Sequence, residues 1–309
     1  MIAEQKLSMP QNDECVARCC LQIGELSLGF AAHGMDFHLE SDHKNFVISS
    51  QPCEIEIEMF WAQSLSSTRG EKLFDSGAVW SLYENNNEFV FDFVTPRLGS
   101  KPYKRLHINR GFSRGQVFFS RDCCSNPGRL QALEYPMDEL IVTNWLARES
   151  RGAEVHGCGL ACGHEGHLFV GHSGAGKSTT TRLWQSLPGC RILSDDRIIL
   201  RKADHQQNLF SMYGTPWHGE AGFASPEKAS IKQILVLEHG EKNQITFLPQ
   251  PAAVAELFAR CFLPFHDPEA LTSTLAFLDD LTRHVACYRF QFVPDSSAVE
   301  KILGFNHSR

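Results

Sequence analysis

The stretch from Leu168 to Trp184 constrains this chain more than any other. Leu168, Phe169 and Val170 read as an apolar strand, GHSGAGKS follows from Gly171 to Ser178, and Thr179 to Trp184 can continue as a helix. The octapeptide fits G-x-x-x-x-G-K-[ST] in full. Four fixed positions arise by accident in about one chain per hundred of this length, and the strand before and helix after make accident rarer. Glycines let successive backbone N–H groups turn into one concavity, and the helix that starts there adds its positive dipole end. Phosphate oxygens fit such a concavity. The pattern predicts a P-loop in which Gly171, His172, Ser173, Gly174, Ala175, Gly176, Lys177, Ser178 and Thr179 hold a nucleoside triphosphate. Lys177 would reach the β- and γ-phosphates, and the Ser178 hydroxyl would ligate magnesium.

A loop of this kind needs a second acidic element to hold the metal, usually at a strand end. Arg191-Ile192-Leu193-Ser194-Asp195-Asp196 supplies one, only one helix after Lys177. Successive residues at a strand end point in different directions. One carboxylate can therefore face a metal while the other faces an acceptor; a surface Asp-Asp turn is the plainer alternative. His156-Gly157 opens the strand that should pair with the Leu168–Val170 strand through a turn at Gly163–Gly166. That hairpin would bring His156 near the floor of the site, although a histidine at a strand start is often only structural.

Outside this region the chain divides into two parts. Leu21 to about Ser120 is strand-like: Ile55, Ile57 and Met59 alternate with Glu54, Glu56 and Glu58, and Phe89, Phe91 and Phe93 with Val90, Asp92 and Val94. Leu106, Ile108, Val117 and Phe119 extend the pattern, with turns expected at Asn85–Asn87 and Arg114-Gly115. Residues 1–20 are polar and expected to be loose or helical. From Met137 a helix is expected to Arg148, then strands at Val155–Ala161, Arg191–Ser194, Ile198–Arg201, Leu209–Tyr213, Ile234–Leu237 and Ala286–Phe292. The Ile198–Tyr213 pair should form a hairpin around Asp204–Asn208. Helical pattern runs over Lys177–Leu187, Ala252–Phe262, Pro268–His284 and Ser296–Leu303. The expected organisation is a β-rich N-terminal domain over 1–134 and an α/β nucleotide-binding domain over 135–309, with a mixed sheet and flanking helices.

Bulk properties narrow the partners. The net charge of −7 favours neither nucleic acid nor an anionic membrane. There is no apolar run long enough to span a bilayer, and MIAEQKLSMPQNDE does not read as a signal peptide. Eleven cysteines, an odd number with the adjacent pairs Cys19-Cys20 and Cys123-Cys124, do not look like a disulfide framework. They are expected to be reduced thiols in a cytoplasm. Cys15/Cys19 and Cys158/Cys162 have C-x3-C spacing, but the second pair falls in a strand, where such positions lie far apart, so buried thiols are expected rather than zinc ligands.

The order His-Gly, hairpin, GHSGAGKS, helix, S-D-D resembles the catalytic domain of HPr kinase/phosphorylase and, more distantly, the nucleotide domain of ATP-dependent phosphoenolpyruvate carboxykinase. The resemblance spans about Tyr135 to Phe292 and is strong from His156 to Asp196. It implies a kinase that moves the γ-phosphoryl group of ATP to a serine. Lys177 and Ser178 match the family's loop lysine and magnesium hydroxyl. Asp195 matches the metal-side acid, Asp196 the base that takes the serine proton, and His156 the histidine that supports that base. Gly214-Thr215-Pro216 and Glu220 fall where the family has a stretch with a metal-side glutamate, though an ordinary hairpin exit loop would read the same. The family's downstream arginine signature has no clear counterpart; Arg197 and Arg260 are stand-ins for an anion-stabilising arginine, with salt bridging the plainer use. The β-rich half does not match the family's N-terminal domain, so the closer likeness is to the broad group of HPr-kinase-like proteins, some of which act on serine in peptides or on other hydroxyl acceptors.

The expected activity is thus an ATP- and magnesium-dependent kinase acting on a hydroxyl, foremost a serine in a protein or peptide. Two rivals remain open. One is a small-molecule kinase with a closed pocket roofed by Trp217 and His218, the other a nucleotide-binding regulatory protein without transfer. The absence of an LSGGQ-like motif disfavours a transporter-type or motor ATPase. A homo-oligomer is left open.

Overall fold

The structure, a computed structural model, describes residues 16–35, 38–49, 51–66, 70–123, 131, 133–203 and 208–305. It is mixed α/β and dominated by strands, which account for 45% of it. The alternating segments of the first half become β1 (Val16–Ile23), β2 (Leu26–His33), β3 (Val47–Ile48), β4 (Ile55–Ala62), β5 (Glu71–Asp75), β6 (Trp80–Asn85), β7 (Glu88–Thr95), β8 (Gly99–Asn109) and β9 (Arg114–Ser120). They form one nine-stranded sheet in the order β3-β1-β2-β4-β9-β8-β7-β6-β5, parallel only where β4 meets β2 and β9. Period-2 alternation works as expected: Ile55, Ile57 and Met59 are buried while Glu54 and Glu56 are exposed.

Two local expectations are corrected. Residues 16–20 are strand, not loose or helical, because Ala17 to Ile23 pair in register with Ala32 to Leu26. Arg114-Gly115 opens β9; the turn lies just before it, where Phe112 takes φ 52° and Asn109 caps the amides of Ser113 and Arg114 through its side chain. The expected turn at Asn85–Asn87 is present, with positive φ at Asn86 and Asn87.

The second half follows the expected succession closely: α1 (Met137–Ala147), β10 (Gly152–Cys162), β11 (Glu165–Val170), α2 (Lys177–Gln185), β12 (Cys190–Ser194), β13 (Arg197–Lys202), β14 (Phe210–Tyr213), β15 (Lys228–His239), β16 (Gln244–Phe247), α3 (Gln250–Phe258), α4 (Pro268–His284), β17 (Ala286–Phe292) and α5 (Ser296–Leu303). The β13–β14 hairpin forms, although residues 204–207 of its turn lie outside the described residues. Its sheet has a feature that sequence pattern does not reveal. β11 pairs β10, β10 pairs β13, β13 pairs β14, β14 pairs β15, and β15 returns to pair β11, so five strands close into a ring. β17 and β16 extend outward from β15, and β12 lies along β10. β15 runs parallel to its neighbours β11 and β17, and the carboxyl ends of the three open onto the Gly171 loop, the usual place for a ligand in such a sheet.

The two sheets share a core. The buried cluster of β1, β2, β4 and β7–β9 takes in α1 and reaches Ile199 and Tyr213 of the second sheet. The β1–β2 turn docks there as well, its Gly24 carbonyl accepting from Arg201 Nη1 at 2.9 Å. On the other side of the chain, α3 and α4 cover one apolar cluster and α2 and α5 another. Among the described residues no helix is long and apolar enough to cross a membrane.

The expectation of reduced thiols throughout is corrected: Cys162 and Cys190 form a disulfide. Register explains it, since the last residue of β10 faces the first of β12, with Cα atoms 4.2 Å apart. Cys162 is thereby unavailable to the C-x3-C pair with Cys158, and Cys15 lies outside the described residues. Because the bridge spans 28 residues, Cys162→Ser should lower stability by about 3 kcal/mol under oxidising conditions. The urea midpoint should fall accordingly, and reductant should bring the parent protein down to the mutant's midpoint.

Candidate functional site

Between β11 and α2 the chain makes a glycine-dependent turn. Gly176 is the N-cap of α2 with φ 99°, and a Cβ there would sit 2.5 Å from the Phe292 ring. Both conformation and space exclude any other residue. No side chain caps α2, which leaves the N–H groups of its first turn to a ligand or water. The loop is braced from outside: His239 Nε2 lies 2.7 Å from the Gly174 carbonyl, and the Ala175 amide donates to His172 O.

Lys177 is buried, and its ammonium donates to the carbonyls of Gly171 at 2.9 Å and His172 at 3.1 Å. Burial pushes its pKa below the usual lysine value, and Arg260 adds to that, against the pull of Cys158 and Asp196. Arg260 approaches from the far side of the loop, Nη2 standing 3.0 Å from His172 Nε2. It is held there by Glu256 and by the short bridge that its segment makes along β10, where the His156 amide donates to Arg260 O. Ser173 is exposed, and Ser178 and Thr179 are half-buried on the first turn of α2.

The two acids after β12 are used differently. Asp195 is buried and its carboxylate accepts three backbone N–H bonds, from Gly219 and Phe223 on Oδ1 and from Ala221 on Oδ2. It ties the 219–223 loop to the end of β12, leaving about one lone-pair site on Oδ2 for anything else. Asp196 turns the other way. His156 Nε2 stands 3.1 Å from its Oδ1, with both side chains about one-third exposed, 39% and 32%. The ring of His156 is backed by Phe262, centroids 6.2 Å apart. Burial raises the Asp196 pKa, but the hydrogen bond and charge of His156, with Arg197 and Lys177, outweigh it and hold the carboxyl below its ordinary value.

Arg197 is the hub behind this pair. Its guanidinium has Asp138 Oδ2 and Glu139 Oε2 at 3.6 Å, Glu154 Oε1 at 3.7 Å and Asp196 Oδ2 at 4.0 Å. Its faces meet the rings of Phe262 and Trp217. Four carboxyl groups around one arginine cannot all ionise cheaply. Glu154, fully buried with no hydrogen bond to either carboxyl oxygen among the described residues, is pushed up to about 8 by burial and by Asp138, Glu139 and Asp196. Asp138 and Glu139 are raised as well, burial being the main cause.

The segment after β14 folds back over these groups. Gly214 has Ser225 O and Leu193 O where a Cβ would be, at 2.1 and 2.5 Å. Thr215 Oγ1 donates to Arg197 O, and Ser194 Oγ donates to Trp217 O. His218 lies 3.0 Å from Asp42 Oδ2 and so ties this segment to a 3-10 turn, Asp42–Phe46, of the first half. Glu220 is exposed on the loop that wraps Asp195. A cleft of about 360 Å³ results, lined by Glu40, His43, Asp138, Asp196, Arg197 and Trp217 among others.

The sequence-predicted residues therefore separate. The structure brings Lys177, Asp196, His156 and Arg260 around one loop, and gives Asp195 and the Gly214–Glu220 stretch to its scaffold. His43, Asp138, Glu139 and Glu154 were not foreseen. Glu154 had a signal, an acid two residues before His156 and hence on the same face of an otherwise apolar strand; His43 had none. Among the described residues no three His, Cys, Asp or Glu side chains are grouped to hold a metal by themselves. No protein-family model and no curated protein matches the chain.

Proposed function

We propose that this chain is an ATP- and magnesium-dependent phosphotransferase acting on a hydroxyl acceptor, its Gly171–Ser178 segment being a P-loop of the HPr kinase-like kind. The supporting observation is the grouping of Lys177, at the start of an uncapped helix, with an Asp196–His156 pair whose proton affinity Lys177 already influences. A triphosphate would replace the loop carbonyls as the partner of the Lys177 ammonium. The α2 N–H groups and Arg260 would take further phosphate oxygens. The residues also fit magnesium, a hard ion that keeps several waters and needs one or two protein oxygens. Ser178 Oγ and the spare Asp195 Oδ2 position are suitable donors, and the exposed Glu220, between two residues whose amides bond Asp195, is the further candidate. Bound there, the ion would draw charge from the phosphoryl oxygens.

Phosphoryl transfer asks little covalent chemistry of a protein; positioning and charge stabilisation dominate. Asp196 would orient the acceptor hydroxyl and take its proton late. Its lowered pKa keeps it ionised at neutral pH while limiting its strength as a base. His156 would hold the carboxylate in place from behind.

Lys177→Ala tests the assignment. The parent should bind ATP with magnesium and the mutant should lose at least tenfold in affinity or all transfer, read by calorimetry and by ADP release, with an unchanged circular dichroism spectrum. Equal affinity and turnover in the two proteins would remove the P-loop from the proposal.

A further inference from the structure

We propose that the cleft beside Asp196 is the acceptor site, and that it takes a small amino alcohol, a molecule with one hydroxyl and one ammonium group and no carboxylate. This deepens the phosphotransferase reading and rests on it. Two independent observations point to a ligand. First, polar side chains that are almost wholly buried line the cleft without hydrogen-bond partners among the described residues. His43, 4% exposed, has neither ring nitrogen engaged, and Asp138, 1% exposed, has Oδ1 unengaged. The indole N–H of Trp217 is unengaged as well. Buried polar groups are nearly always paired, so a cleft with three such groups is shaped for a polar occupant. Second, Asp196 lines the same cleft and interacts electrostatically with Lys177. A molecule seated in the cleft has its hydroxyl next to the residue that faces the loop.

Size and charge choose the occupant. About 360 Å³ suits a small molecule. The lining has Glu40, Glu134, Asp138 and Asp196 against Arg197, and Arg197 is already surrounded by four carboxyl groups. Glu134 is committed to Lys104 at 2.7 Å. An anionic acceptor would meet a surplus of like charge, whereas an ammonium would find acceptors in Asp138 Oδ1, Glu40 and a neutral His43. His43 is kept neutral by burial, which lowers its pKa against the pull of Glu40 and Asp42. The walls come from both halves of the chain, joined by the His218–Asp42 contact, so the β-rich half supplies substrate contacts. In the transfer the acceptor oxygen bonds to the γ-phosphorus and the bond from that phosphorus to the bridging oxygen of ADP breaks. ADP keeps the electron pair, and the hydroxyl proton passes to Asp196.

The experiment compares ethanolamine and serinol with glycerol, glycerate and a serine-containing peptide as acceptors for ATP with magnesium, following ADP and the phosphorylated product by ³¹P NMR. Saturation-transfer NMR measures binding of the same probes without nucleotide. The expected result is transfer to ethanolamine or serinol at least tenfold more efficient than to glycerol, and none to glycerate. Asp138→Asn and Glu40→Gln should each raise the amino alcohol KM about tenfold with ATP affinity unchanged. Glu40 is exposed, so Glu40→Gln decides the matter if Asp138→Asn does not fold. Transfer to the peptide but not to the amino alcohols overturns the proposal, as does a KM that neither substitution moves. If ATP binds but no probe is phosphorylated, amino alcohol binding that Glu40→Gln weakens supports the cleft assignment, and absence of binding overturns it. Failure of ATP to bind the parent protein would instead fall on the phosphotransferase reading.

Discussion

Asp196→Asn is expected to lower single-turnover phosphoryl transfer by about 10²–10⁴-fold while ATP affinity stays within a few-fold of the parent. The substitution keeps the size of the side chain and a hydrogen-bond acceptor for His156 at Oδ1, now 3.1 Å away. What it removes is the charge that, on the proposed reading, would orient and deprotonate the acceptor hydroxyl. His156→Ala should cost less, because His156 contacts the carboxylate and would act only through it. The pH profile separates the two roles. The neighbours of Asp196 hold its carboxyl below the usual value, so in the parent the acid limb of the rate should fall below the ordinary aspartate range near pH 4. In His156→Ala the largest stabilising contribution to the anion is gone, and that limb should move up toward the ordinary value. Parent-rate transfer by Asp196→Asn would show that the base lies elsewhere.

The second large effect concerns stability. Glu154 is protonated in the folded protein up to about pH 8, against an ordinary value of 4.5. Between those limits the folded state holds a proton that the unfolded state has released, so the unfolded state binds fewer protons and stability falls as pH rises. The loss is complete once pH exceeds about 8. Glu154→Gln removes the ionisation with little change of shape. The mutant and parent should melt together near pH 5, and by pH 9 the mutant should be the more stable by several kcal/mol, roughly 5–10 °C in Tm. Parallel Tm curves for the two proteins from pH 5 to 9 would show that Glu154 does not carry this buried proton. Arg197 is the check on the cause, since it is the one cation that opposes the shift.

Local order was legible in the sequence; closure and side-chain allegiance were not. Pro268–His284 and Ser296–Leu303 form helices with the expected bounds, because an acid caps each start, Asp267 and Asp295, and the amphipathic period is clean. β16 was missed: its four residues are mostly exposed and alternate too briefly to register. The strand–loop–helix around Gly171 was plain from glycine spacing. The pairing of His156 with Asp196 was anticipated only through resemblance, and the geometry agrees with it. The allegiance of Asp195 was not legible, because the three amides that claim it come from 24 to 28 residues downstream. The burial of Asp138 and the part-burial of Glu139 were hidden for a related reason. Acids in the first turn of a helix are ordinarily solvated partners of its dipole, and nothing local says that Arg197 will arrive opposite them. The disulfide also depended on register, which an odd count of cysteines cannot disclose.

A ring of five strands has no end from which to fray and no edge at which register can slip. The loop-bearing strand β11, the His156 strand β10 and the Arg197 strand β13 all belong to it, so the spacing between the loop lysine and the Asp196–His156 pair is set by a closed circuit of backbone hydrogen bonds. Other walls of the cleft, His43 and Trp217 among them, stand on segments outside that circuit. Those segments can therefore change in length without disturbing the strand circuit. If the proposed phosphotransferase reading holds, such a division would let the transfer chemistry stay fixed while the choice of acceptor changed.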